Sequence, residues 1–113
     1  MTKYSRGDIV LVNFIFADES GTKRRPAFIV STNRYNSGRD EAVAGAITSR
    51  TERLLFGDHL IINWQKAGLL YPSVATGIIQ TVKQGMIARK LGFMPSIDME
   101  LINDKMRLAL GLA

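Results

Sequence analysis

Residues 23 to 25 read Lys-Arg-Arg, and Pro26 follows them at the start of an apolar run, Ala27 to Val30. Three adjacent cations either keep a loop solvated or address an anion. An arginine fork is planar, permanently charged and matched to two phosphate oxygens, so its most direct chemistry is with phosphate. The remaining inventory narrows which phosphate chemistry is open. The chain has no cysteine and a single histidine, His59, which excludes a thiolate metal site, a paired-histidine acid and base, and a zinc site without several added carboxylates. A GxSxG elbow, a P-loop, an HExxH motif and a glycine-rich dinucleotide fingerprint are also missing. Arg, Thr, Ser, Asn, Gln and carboxylates are left to work with, and they suit a reaction whose substrate supplies its own nucleophile. In RNA cleavage the ribose 2′-hydroxyl attacks the neighbouring phosphate, and the enzyme's main task is to stabilise the charge of the pentacoordinate transition state.

Such cations need a scaffold, and the pattern predicts a β one. "DIVLVNFIF", residues 8 to 16, is β-branched and aromatic with both faces mostly apolar, as in a buried strand. A polar loop is expected over 17 to 25. Pro26, which cannot donate to a ladder, suits the first position of a second strand running through "AFIVS". "TNRYNSGRDE", residues 32 to 41, has the turn chemistry of a loop. A third strand is expected at 42 to 49, where small residues permit close packing, and a fourth at 58 to 63. A connector with one helical turn spans 64 to 73, and one or two further strands occupy 73 to 84, split near Gly77. The period then changes. Ser96 can cap a helix with Asp98 and Glu100 in its first turn and Lys105 and Arg107 toward its end, Met99, Ile102, Met106 and Leu110 forming the buried face and Gly111 the stop. The fold class that follows is mainly β, a small, strongly curved antiparallel barrel of five to seven strands with a C-terminal helix.

At 113 residues, 46% of them hydrophobic and 22% charged, the chain has the composition of one globular domain spanning 1 to 113. Fifteen Lys and Arg against ten Asp and Glu leave a charge of +5, which raises the prior for an anionic partner such as nucleic acid. The absence of cysteine suits a reducing cytoplasm. The apolar run near the N-terminus is too short to span a bilayer and lacks a signal-peptide cleavage pattern, so no membrane association is expected.

Five stretches carry a resemblance: "RGDIVLVNF" at 6 to 14, "GTKRRPAFIVS" at 21 to 31, "AITS" at 46 to 49, "AGLLYPSV" at 67 to 74 and "LALGLA" at the end. In this order and spacing the chain resembles the MazF/PemK-like growth-inhibitor toxins over nearly its whole length. The resemblance implies an SH3-like barrel of the CcdB/PemK type and a toxin of a type II toxin–antitoxin pair, a metal-independent, sequence-selective endoribonuclease. The implied partners are single-stranded RNA, a second copy of the chain and a cognate antitoxin with an acidic tail; no cofactor is implied. Arg25 falls on the family's catalytic arginine and would stabilise the transition-state charge, and Thr48 falls on its catalytic threonine and would hold a phosphate oxygen. Glu19 is the carboxylate considered for the general base, because family members carry an acidic residue in this loop, although its spacing to Arg25 is one residue longer than in some relatives. Lys23, Arg24, Tyr35, Asn36, Arg50, Gln80 and Thr81 make up the implied RNA-binding set. Where relatives read Lys-Ile-x-Thr-Ile-Asp-Lys, this chain reads "IIQTVKQ" at 78 to 84. Ile78, Lys83 and Gln84 are therefore departures expected to alter cleavage specificity. A CcdB-like poison of a protein target is the alternative, but the chain ends in Gly-Leu-Ala rather than that protein's Trp-Gly-Ile. A degenerate barrel that binds antitoxin without cutting is a third reading.

Several residues have simpler readings. Arg6 and Asp8 look like a structural pair anchoring the first strand. His59 is read as structural; Trp64 and Tyr71 could stack on bases, but a small barrel needs large apolar side chains to close its ends, and packing is the favoured reading. Tyr35, set in a polar loop, is the better stacking candidate.

Overall fold

A strand that is apolar on both faces must be covered from both sides, and β1 (Asp8–Phe16) lies inside the sheet, between two neighbours. The computed structural model of the protein describes residues 4–16 and 21–112. Beside β1 it contains β2 (Gly21–Ile29), β3 (Glu41–Thr48), β4 (His59–Leu60), β5 (Val74–Lys83) and β6 (Ile87–Phe93), in the order β4-β5-β3-β2-β1-β6 with every neighbouring pair antiparallel. A short helix, α1 (Asn33–Asn36), joins β2 to β3, and α2 (Ser96–Leu110) follows β6.

Side-chain alternation divides the interior into two apolar clusters. Val10, Val12, Ala27, Ile29, Ala42 and Ala44 form one with Val82, closed by Tyr4 and Ile87. Ile9, Phe28 and Ile47 form the other, packed with Ile61, Ala67 and Leu69 of the connector and with Ile102 of α2. The small residues of β3 do what their size allows. Phe28 faces Gly45 across the β2–β3 pair, and a Cβ at Gly45 would lie 2.3 Å from its ring.

The structure departs from the pattern-based expectations in instructive places. β2 begins at Gly21, so Lys23, Arg24 and Arg25 belong to a strand and not to a loop, with Pro26 mid-strand opposite Leu11. Proline is tolerated there because residues 21–26 pair with β1 alone, β3 joining only at Ala27. β4 is cut to two residues, because Ile61 turns into the core. β5 runs unbroken through Gly77; the irregularity lies in its pairing with β3, whose register slips between Gly45 and Ile47. β6 was not anticipated at all. The polar loop after β2 contains α1, whose first turn is capped by Thr32 Oγ1 accepting from the Tyr35 N–H at 3.3 Å.

In α2, Pro95 and not Ser96 holds the N-cap position, without a side-chain hydrogen bond. Met99, Ile102 and Met106 pack inward as expected, whereas Leu110 is exposed. Gly111 ends the helix in the left-handed region, φ 69°, its N–H donating to the Arg107 carbonyl. Arg6 and Asp8 do not pair with each other. Arg6 donates to the Val30 carbonyl and to Asn103 Oδ1, tying the end of β2 to α2, while Asp8 accepts from the Ser5 N–H and pairs with Lys90 at 3.2 Å. Among the described residues no helix is long and apolar enough to cross a membrane.

Candidate nucleic-acid interface

Arg25 stands on β2 opposite Val12, and Thr48 ends the adjacent β3. β2 and β3 stop pairing at Ala27 and Ala46, and the surface beyond that point opens into two clefts of about 900 and 770 Å³, which share Arg25, Ile47, Thr48 and Arg50. The two residues that the family pattern singles out thus line the same depressions.

The larger cleft is basic. Lys23, Arg24, Arg25, Arg50, Arg89 and Lys90 all line it, and among the described residues no carboxylate does. Pro26, Ile47 and Leu69 supply apolar lining and Leu70 and Tyr71 join them. Arg24 is steadied by Asn13, whose Oδ1 accepts from its Nε at 3.0 Å. Thr48 Oγ1 accepts the Arg50 N–H at 3.2 Å. The hydroxyl then shapes the turn after β3 and keeps its own proton for another acceptor.

The smaller cleft continues from the same four residues into Leu55, Phe56, Ile78 and Ala109, with Arg53, Glu52 and Asp58 beside them. Asp58 is fully employed: Oδ2 accepts from the Leu55 N–H and Oδ1 from the Gly77 N–H, both at 3.0 Å, stitching the 49–58 segment to β5. Behind it, His59 finds the partner that the sequence did not reveal. Its Nε2 lies 2.8 Å from Asp98 Oδ1, and that carboxylate also accepts from the backbone N–H groups of Ile62, at 2.7 Å, and Asn63, at 3.1 Å. Asp98 is wholly buried and is no solvent-facing first-turn acid. Burial pushes its carboxyl up, but the hydrogen bonds from His59, Ile62 and Asn63 and the attraction of the imidazole outweigh this and leave it below the ordinary aspartate range. The expected structural role of His59 fits this network.

The other sequence-predicted residues separate. Lys23, Arg24 and Arg50 join Arg25 and Thr48 in the basic cleft. Tyr35, on α1, lies under the Arg39 guanidinium, 4.4 Å from ring centroid to carbon. Asn36 is 2% exposed; its amide nitrogen donates to the Tyr4 and Ser31 carbonyls and its oxygen accepts from Ser31 Oγ, so the side chain braces the loop and is not presented to solvent. Gln80 and Thr81 are exposed on β5 opposite Ala44 and Val43 and line neither cleft. Glu19 lies outside the described residues. Gln84 donates to the carbonyls of Asn36, Arg39 and Glu41, which makes it a loop brace, while Ile78 reaches the smaller cleft. Trp64 packs on the core as expected, but Tyr71 is 64% exposed. Tyr71, Arg89 and Lys90 are the cleft residues that sequence reasoning did not assign. The available signal was a second cation pair, in "IARKLGF", beside a glycine-containing segment.

A family model described as "PemK-like, MazF-like toxin of type II toxin-antitoxin system" matches residues 5–110. No curated protein matches the sequence. Three solved structures illustrate the similarity of fold. A mycobacterial endoribonuclease in complex with its cognate antitoxin shares 24% identity at a TM-score of 0.77, with 97% of each chain covered. The MazE–MazF complex of Deinococcus radiodurans shares 21% at 0.80, covering 97% of this chain and 98% of that one. The Mycobacterium tuberculosis toxin MazF-mt6 shares 20% at 0.76, covering 94% and 98%.

Proposed function

Starting from the fact that the chain belongs to the PemK-like, MazF-like toxins of type II toxin–antitoxin systems, we propose that it is a metal-independent endoribonuclease that cuts single-stranded RNA at selected sequences. The observation that carries this reading is the convergence of Arg25 and Thr48 on one cleft that, among the described residues, is lined by six cations and no carboxylate. A polyanion neutralises such a cleft and releases counterions as it binds.

In the proposed reaction the 2′-hydroxyl gives its proton to a carboxylate and the 2′-oxygen attacks phosphorus, the bond to the 5′-oxygen breaks, and that oxygen takes a proton from water, so that a 2′,3′-cyclic phosphate and a 5′-hydroxyl result. The Arg25 fork spans the two non-bridging oxygens as negative charge accumulates on them, and the Thr48 hydroxyl donates to one of them. Arginine is a poor acceptor for the 2′-hydroxyl proton. Beside Glu19, the described carboxylate that fits that task is Glu52, which lines the smaller cleft with Arg25 and Thr48 and, unlike Asp58, is not engaged by backbone N–H groups.

The same reading includes a homodimer in the cytoplasm, restrained by an antitoxin with an acidic tail. Leu55, Phe56 and Ile78 are exposed by 57%, 78% and 64% around the smaller cleft, an apolar edge suited to a second copy. Purified protein should cut a long single-stranded RNA in excess chelator, and Arg25→Ala should abolish the cutting. Cutting that stops with chelator would reject the metal-independent mechanism.

A further inference from the structure

Among the described residues, Tyr71 is the one aromatic side chain lining the basic cleft, and it is 64% exposed rather than packed in the core. The backbone on both sides is fastened. Leu69 and Ser73 are buried, the Leu69 N–H donates to the Trp64 carbonyl at 3.1 Å, Ile61 donates to the Ser73 carbonyl at 3.0 Å, and Ser73 Oγ donates to the Tyr71 carbonyl at 2.8 Å. Pro72 further restricts the backbone of Tyr71. The segment is also pressed onto β6. A Cβ at Gly68, whose φ is +89°, would lie 2.4 Å from the Leu91 carbonyl oxygen, and one at Gly92 would lie 2.3 Å from that of Ala67. A rigid strap thus holds an outward-facing aromatic ring beside a strand that carries Arg89 and Lys90.

The two cations differ. Lys90 neutralises the buried Asp8 carboxylate, whereas Arg89 is exposed with no hydrogen-bond or ion-pair partner among the described residues. An exposed ring on a fixed backbone, set in a groove of cations, is the arrangement that binds single-stranded nucleic acid, stacking a base on the ring while the backbone follows the charge.

We propose that Tyr71 is a nucleobase platform, on which a base near the cleaved phosphate stacks while Arg89 holds an adjacent phosphate. This rests on the RNA-cleaving reading above and extends it to how the strand leaves the Arg25–Thr48 pair. The phenol ring gives affinity for any base, because every base has a π-face, and its position limits how the strand bends away from the site.

The test uses a short, labelled, fully 2′-O-methylated single-stranded oligonucleotide of mixed sequence, which lacks the attacking hydroxyl, and an abasic chain of the same length, with binding read by anisotropy. Tyr71→Ala should weaken binding of the base-bearing strand by about tenfold or more and leave binding of the abasic chain unchanged. Tyr71→Phe and Tyr71→Trp should bind like the parent, and Arg89→Gln should weaken both ligands. An equal loss on both ligands in Tyr71→Ala, no loss on either, or a Phe variant as weak as the Ala variant would each overturn the platform. So would a loss confined to polyglutamate, which would assign the ring to a protein partner. Parent protein that binds through Tyr71 but cuts no RNA would refute the cleavage reading alone. Parent protein that cuts RNA while Tyr71→Ala binds equally well would refute the platform alone.

Discussion

On one side of Arg25 and Thr48 the described surface is lined by Lys23, Arg24, Arg89 and Lys90 with no acid among the described residues; on the other it is lined by Leu55, Phe56, Ile78 and Ala109, with Arg53, Glu52 and Asp58 beside them. The two clefts use the same strand ends, yet they differ in which solvent-facing cost they carry. Clustered like charges repel until a polyanion neutralises them. Exposed apolar side chains remain hydrated until another protein surface covers them. In the proposed reading, two sites that meet at Arg25 and Thr48 are filled by different partners, RNA on the basic side and a second copy of the chain on the apolar side.

The largest effect should come from Arg25, one of the four residues that both clefts share. Arg25→Ala removes the proposed donor to the phosphorane and should lower the single-turnover rate by about 10³-fold. If cutting survives, the two clefts do not meet at a reaction centre. Asp98→Ala comes next. It leaves His59 and the Ile62 and Asn63 N–H groups without their acceptor, and should cost about 3 kcal/mol in urea unfolding at neutral pH, loosening β4 behind the apolar side in particular. The pH dependence has a definite sign. The folded carboxyl titrates below the unfolded one, so its stabilisation is complete above about pH 4 and is lost as pH falls through the folded value. Asp98→Asn should flatten that acid limb, and an unaltered limb would refute the assignment.

On the apolar side, Phe56→Glu should weaken self-association by about 2 kcal/mol, or some thirtyfold, as read by sedimentation, without unfolding the protomer. The smallest effect belongs to the basic side. Arg89→Gln should reduce the slope of log affinity against log salt by about 0.7, the contribution of one phosphate contact on a single strand. It should leave sedimentation untouched. If Phe56→Glu altered the salt slope, or Arg89→Gln altered the oligomer, the division of labour between the clefts would fail.

Local pattern revealed much of this molecule. The two-faced apolar run of β1, the small residues of β3 that accept Phe28, the inward face of α2 and its glycine stop are all properties of neighbours in sequence, and each is present. The cation run before Pro26 was likewise visible, although local pattern alone left open whether it solvates a loop or addresses an anion. The errors occurred where a distant segment made the decision. Polar residues 21–25 read as a loop until β1 supplied a partner for each of them. Asn36 read as a loop asparagine until Tyr4 and Ser31 enclosed it, and Asp98 as a dipole-facing acid until His59 and the backbone N–H groups of Ile62 and Asn63 did the same.

The chain's own order of residues therefore determined the β class, the terminal helix and the cation run that ends in Arg25, because period, turn chemistry and charge are short-range properties. Tertiary structure alone decided that Arg25 and Thr48 share a cleft, that Tyr71 faces out and Asn36 faces in, and that His59 has a carboxylate partner. Each of these depends on which strands pair and in what register, and no local stretch of sequence contains both halves of such a contact.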